Sequence, residues 1–140
     1  MSQPIENLAR FVSEVTWDTI PPEVREHAKL VLLDTLGVIL AGSEQTEVAA
    51  LRARLLEDGG RGATVYARGF PTTDPRTAAL LNGTAGRTIE LCETHRFVSC
   101  QAAVQVLPAV LAAAERYGGR QHGRQPVSYT HLTLPTICSV

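Results

Sequence analysis

The chain has little with which to hold a nucleic acid. Its 140 residues carry 13 basic and 14 acidic side chains, a formal net charge of −1. No basic stripe stands out, so nucleic acid is not an expected partner. Lysine is nearly absent. Only Lys29 breaks the run of arginines, a bias read as genome composition rather than function. Long apolar runs are missing too. Leu30 to Ala41 is interrupted by Asp34 and is too short to span a bilayer, so no membrane is expected. Met1-Ser2-Gln3-Pro4 lacks the basic region and apolar core of a signal peptide. Cysteine is scarce: Cys92, Cys100 and Cys138 are an odd number with no CxxC pair. That excludes a disulfide framework and fits reduced thiols in a cytoplasm. Gly59-Gly60 and Gly118-Gly119 lack the Lys-Ser/Thr that follows a phosphate loop and read as helix stops. What remains is ordinary for one modest soluble domain, 44% hydrophobic and 19% charged.

The texture is helical. Ser2 is a candidate cap for a first helix with Ile5, Leu8, Val12 and Val15 at helical spacing. Pro21-Pro22 opens a second helix that runs to about Ala41 and stops at Gly42-Ser43. Its later half is apolar nearly all round, which predicts a buried helix. Gly37 inside it predicts close approach of another helix. Thr46 opens a third, with Val48, Leu51 and Leu55. Ala63 to Ala67 is β-branched and aromatic between glycines and predicts a short strand. Asp74-Pro75 is a cap and first-turn pair for a fourth helix through about Glu90. Cys100 to Tyr117 reads as a fifth, with Val104, Leu107, Leu111 and Ala114 on one face and Pro108 as a kink. Trp17 with Phe11 reads as core packing, and His27 as a partly buried structural histidine. The expected class is all-α, about five helices with at most one short strand.

One segment concentrates chemistry. Asn82-Gly83-Thr84-Ala85 is followed by Glu90-Leu91-Cys92-Glu93-Thr94-His95. Two carboxylates, a hydroxyl, a thiol and an imidazole fall within a few residues. On a helix, Glu90 and Thr94 share a face, with Glu93 and His95 beside it. A carboxylate beside a hydroxyl donor suits binding and deprotonation of a small polar molecule. A solvated acidic helix end fits the same spacing. Cys92, His95 and Cys100, with Glu93 or Glu90, also form a conceivable metal set, but their spacing matches no standard zinc module, and no metal is assigned. A cysteine nucleophile paired with His95 rests on proximity alone.

The wording of the segment resembles the MmgE/PrpD family, which includes 2-methylcitrate dehydratases and cis-aconitate decarboxylases. The family pattern reads as an Asn-Gly-Thr-Ala helix, then Asp-Phe-Asp-Asp-Thr-His, then His-Pro, then an Ala-rich helix with Leu-Pro. Asn82 to Ala85, Thr94-His95 and Leu107-Pro108-Ala109 match it. So do the opening helices: Leu8-Ala9-Arg10-Phe11, Ile20 to Val24 and Leu33 to Gly37. The resemblance runs from about the first helix to Gly119, the N-terminal part of a much longer family member. The departures are Glu90 for the first Asp, Cys92 for the second and Glu93 for the third. Cys100-Gln101 stands near the His-Pro.

The resemblance implies the N-terminal part of a helical domain, with the site in a cleft between that domain and a smaller lid. It implies a lyase for small polycarboxylates, without metal or organic cofactor, and a homodimeric full-length parent. Glu90, Thr94 and His95 are the implied catalytic residues: Thr94 as donor to a substrate carboxylate, Glu90 as base or orienting group. Glu93, Cys100 and Gln101 are implied substrate contacts. A 2-methylcitrate dehydratase-like reaction comes first; cis-aconitate decarboxylation and amino-dicarboxylate epimerisation stand beside it. A non-catalytic helical interaction domain and a metal-binding helical module remain alternatives of other classes. The tail differs in kind. After Arg124 no charged side chain appears, and Val127 to Thr136 resembles one reading frame of a sequencing adapter. Residues 1–125 are therefore expected to form a partial helical domain, inactive by itself, and 126–140 a non-native tail.

Overall fold

Five α-helices and one two-stranded ribbon make up the described residues, 3–56, 60–94 and 100–118 of the computed structural model. The order is α1 (Gln3–Glu14), a short 3-10 turn (Trp17–Thr19), α2 (Pro22–Gly42), α3 (Thr46–Leu55), β1 (Ala63–Thr64), β2 (Thr72–Thr73), α4 (Pro75–Thr88) and α5 (Ala102–Gly118). The all-α class expected from the sequence holds. The ribbon adds a partner to the anticipated strand: β1 and β2 run antiparallel, with Ala63 opposite Thr73. A two-residue strand offers no alternation to read, which is why β2 carried no signal.

Local chemistry fixes the helix starts. Pro22 and Pro75 occupy first-turn positions, where a missing N–H costs nothing. Asp74 caps α4: its Oδ1 accepts from the backbone N–H groups of Arg76 at 3.0 Å and Thr77 at 3.2 Å. The hydrogen bonds from Thr77 are the main reason its carboxyl lies below the usual carboxylate range.

α4 is the hub, packed on α2, α3, α5 and both strands. Ala78 and Leu81 join Ala63, Val65, Ala67 and Ala112 in one core cluster. Ala85 joins Ile39 and Val48 in another. Small residues let the helices close. A methyl on Gly42 would collide with the Ala85 carbonyl, and one on Gly86 would strike Val104 and Ile39. Gly37, the expected contact point, has open space around it. Close approach depends on where the neighbouring helix crosses, and here it crosses one turn and a half further on.

The later half of α2 is not buried all round. Thr35, Val38, Ile39 and Gly42 face inward, while Leu30 and Leu33 stay 63% and 68% exposed. α1 buries no residue at all. Val15 lies just past it and packs with Ile20, Val24 and Ala28. Phe11 and Trp17 are exposed rather than core, and the Arg25 guanidinium lies over the Trp17 ring at 5.5 Å. His27 is exposed. α4 ends at Thr88, short of Glu90. α5 runs on through Pro108, leaving the Val104 carbonyl without its helical donor. Among the described residues, no helix is long and apolar enough to cross a membrane.

Candidate active site between the fourth and fifth helices

Asn82 is buried and works on the backbone. Its Oδ1 accepts from the Tyr66 N–H at 2.8 Å, and its Nδ2 donates to the Thr64 carbonyl at 3.0 Å. One amide thus pairs both of these half-buried backbone groups at and just past the end of β1. Glu115 of α5 holds the same segment from the other side, accepting from the Thr64 N–H at 2.5 Å and the Tyr66 hydroxyl at 2.8 Å. Burial first, then Glu115, pushes the Tyr66 hydroxyl pKa well up. Thr84 bonds back to the Leu80 carbonyl at 2.9 Å. Asn82 and Ala85 therefore serve packing, while Gly83 and Thr84 face a groove.

That groove has a volume of about 750 Å³ and lies along α4 and α5. Gly83, Val104 and Pro108 form its apolar side; Thr84, Arg87, Thr88, Glu90 and Gln105 supply polar groups. Arg87 organises one end. Its Nη1 donates to the Cys92 sulfur at 3.1 Å and to Gln101 Oε1. Its Nη2 donates to Glu90 Oε1 at 2.8 Å. The Cys92 contact first, then the charge of Glu90, outweigh burial and hold the guanidinium above arginine's ordinary pKa. Arg87 is a fixed cation at the groove's edge.

The expected site residues fall in different places. Glu90 lies on the groove with φ of 53°, a left-handed backbone just past the C-terminal end of α4. Glycine is the usual occupant of such a position. Because the helix has ended, Glu90 and Thr94 do not share a helical face. Thr94 is exposed and does not line the groove. His95 lies outside the described residues. Glu93 turns inward: its Oε1 accepts from the Ala103 N–H at 2.5 Å, in the first turn of α5, where a carboxylate is favoured. Its Oε2 is buried with no hydrogen-bond partner among the described residues. The two acids thus have separate stabilising partners, Arg87 and a helix N-terminus. Gln101 meets Arg87, while Cys100 is a half-buried free thiol. Among the described residues, no group of three or more His, Cys, Asp or Glu side chains is placed to hold a metal. Arg87 itself was missed by sequence reasoning. Its only signal was its place three residues before Glu90, a spacing at which charges meet on a helix surface.

Comparison with known proteins matches residues 6–128 to the MmgE/PrpD N-terminal domain. The chain belongs to the MmgE/PrpD family. Over 111 residues, 77% of the chain, it is 34% identical to the cis-aconitate decarboxylase-like protein oryM of Aspergillus oryzae (strain ATCC 42149 / RIB 40). The match covers 22% of that protein, so the chain spans about a fifth of the relative's length. No solved structure matches. In this MmgE/PrpD chain the family segment divides in two. Asn82, Ala85 and Gly86 pack α4 against its neighbours, while Gly83, Thr84, Arg87 and Glu90 face the groove.

Proposed function

We propose that this MmgE/PrpD chain supplies the N-terminal helical part of a cofactor-independent lyase for small polycarboxylates, 2-methylcitrate dehydratase-like in reaction. The observation that carries this reading is Glu90, the family segment's leading acid, set on the groove in a left-handed backbone beside Arg87. Strained backbone persists where the surroundings enforce it, and such positions cluster at functional sites. In a dehydration, a base takes the proton next to a substrate carboxylate, the C–O bond breaks, and the hydroxyl leaves as water. Glu90 is the base or its orienting partner, Thr94 donates to a substrate carboxylate, and His95 completes the set. Glu93, Cys100 and Gln101 shape the surroundings. The working part is residues 1–125 within a longer, homodimeric parent, and residues 126–140 add nothing.

A decarboxylase reading of the same site is favoured by the relative named cis-aconitate decarboxylase-like. There the C–C bond to a carboxylate breaks, carbon dioxide leaves, and the carbon takes a proton. The full-length parent, assayed on 2-methylcitrate for water loss and on cis-aconitate for carbon dioxide release, separates the two. Thr94→Val removes a charge-assisted hydrogen bond worth about 1.5–3 kcal/mol, roughly tenfold to a hundredfold in kcat/KM. Glu90→Gln is expected to cost at least as much. Wild-type rates in both variants would remove these residues from the site. Absence of turnover on every polycarboxylate would leave the non-catalytic helical domain.

A further inference from the structure

Three residues converge on Arg87, and all three are positions where the chain departs from its family's pattern: Glu90, Cys92 and Gln101. A guanidinium has five N–H donors in a planar fork. Nη1 gives both of its hydrogens to Cys92 and Gln101, and Nη2 gives one to Glu90. One Nη2 hydrogen and the Nε–H have no acceptor among the described residues. A carboxylate that grips this side of the fork with both oxygens takes the Nε–H and Nη2 together, and Nη2 is the nitrogen that Glu90 holds.

The partners are unequal. Cys92 is buried and Gln101 is half-buried, so both act as tethers that fix the plane of the fork. Glu90 is 67% exposed at its side chain, and an ion pair so open to water is weak. It is the contact that a competing carboxylate replaces at least cost. Room is present as well: a methyl on Gly83 would find nothing nearer than Pro108 Cγ at 3.9 Å. A ligand entering the groove therefore meets an oriented cation, an apolar wall and one displaceable acid.

We infer that Arg87 is the carboxylate anchor of this groove, and that a ligand carboxylate takes its Nη2 edge over from Glu90. The exchange releases the Glu90 carboxylate at the moment the ligand arrives. Binding and the availability of the acid are thereby one event. Arg87 also confers selectivity: a ligand needs a planar, bidentate anion at one end and a body that tolerates the apolar wall. This inference rests on the polycarboxylate reading above and names the residue that recognises the carboxylate.

The test is a chemical-shift titration of the 140-residue chain with propane-1,2,3-tricarboxylate, which reads dissociation constants in the millimolar range. The Arg87 Nε–Hε resonance is expected to move with saturation. Arg87→Lys keeps the charge, loses the fork and is expected to weaken binding about tenfold. Arg87→Gln is expected to abolish it. Glu90→Gln leaves Arg87 in place, removes the competitor and is expected to tighten binding about fivefold. An unmoved Arg87 resonance, unchanged affinity in Arg87→Lys, or unchanged or weaker affinity in Glu90→Gln would each overturn the anchor. The fate of the proposed function is separate. Arg87-dependent binding in a parent that turns over no polycarboxylate keeps the anchor and removes the lyase. Turnover with wild-type KM in Arg87→Lys does the reverse.

Discussion

Glu90 adopts φ of 53° although it has a side chain. A non-glycine residue there carries strain of about 1 kcal/mol. Glu90→Gly relieves that strain and gives up only an exposed ion pair. The expected outcome is a melting temperature equal to or a few degrees above wild type, up to about 1 kcal/mol of stability, together with loss of polycarboxylate turnover by the full-length parent. A lower melting temperature would show that the pair with Arg87, not function, accounts for glutamate here. Asn82 behaves in the opposite way. Asn82→Ala strips the Tyr66 N–H and the Thr64 carbonyl of their partner, at a cost of about 2–4 kcal/mol. Thr84→Val, which removes only a bond within its own helix, is expected to cost less than about 1 kcal/mol. Equal melting of the two variants would refute the division of this segment into packing and site. The sequence singled out Asn82, Glu90, Glu93 and Gln101, but their partners lie outside any local pattern. Arg87 escaped notice because an arginine in a last helical turn looks like a solvated charge.

At the level of elements, the starts of α2 and α4 were legible because proline and aspartate act within one turn of themselves. The end of α4 was not, since Glu90 continues the helical spacing in sequence and only its backbone turns away. The seams between helices were also hidden. Gly37 and Gly42 look alike in sequence, yet only Gly42 lies against the Ala85 backbone. This gives a paired prediction. Gly37→Ala adds a methyl in open space and gains helix propensity, a stabilisation of about 0.5–1 kcal/mol. Gly42→Ala forces α2 and α4 apart, and a loss of at least about 2 kcal/mol is expected. Urea denaturation of the two variants checks both signs. A tolerated methyl at residue 42 would mean that α2 does not cross α4 where it is placed.

At the level of the molecule, two apolar faces point outward. α1 leaves Ile5, Leu8 and Phe11 at 74%, 57% and 52% exposure. α2 adds Leu30 and Leu33, three apart and so on one face of the helix. Periodicity reports that a helix has an apolar side; it does not report what covers that side, which is why the later half of α2 read as buried. Five large apolar side chains meet water on these two faces, and exposed apolar faces of this kind mark contact surfaces. The 140-residue chain is therefore expected to self-associate. Leu30→Glu with Leu33→Glu places two like charges on the α2 face without touching its inward residues Thr35, Val38 and Ile39. Sedimentation velocity at tens of micromolar should show wild-type chain as dimers or larger species, and the double variant shifted toward monomer with its helical circular dichroism intact. A wild-type monomer across that range would mean that these leucines are tolerated by water, and that neither helix face is a contact surface.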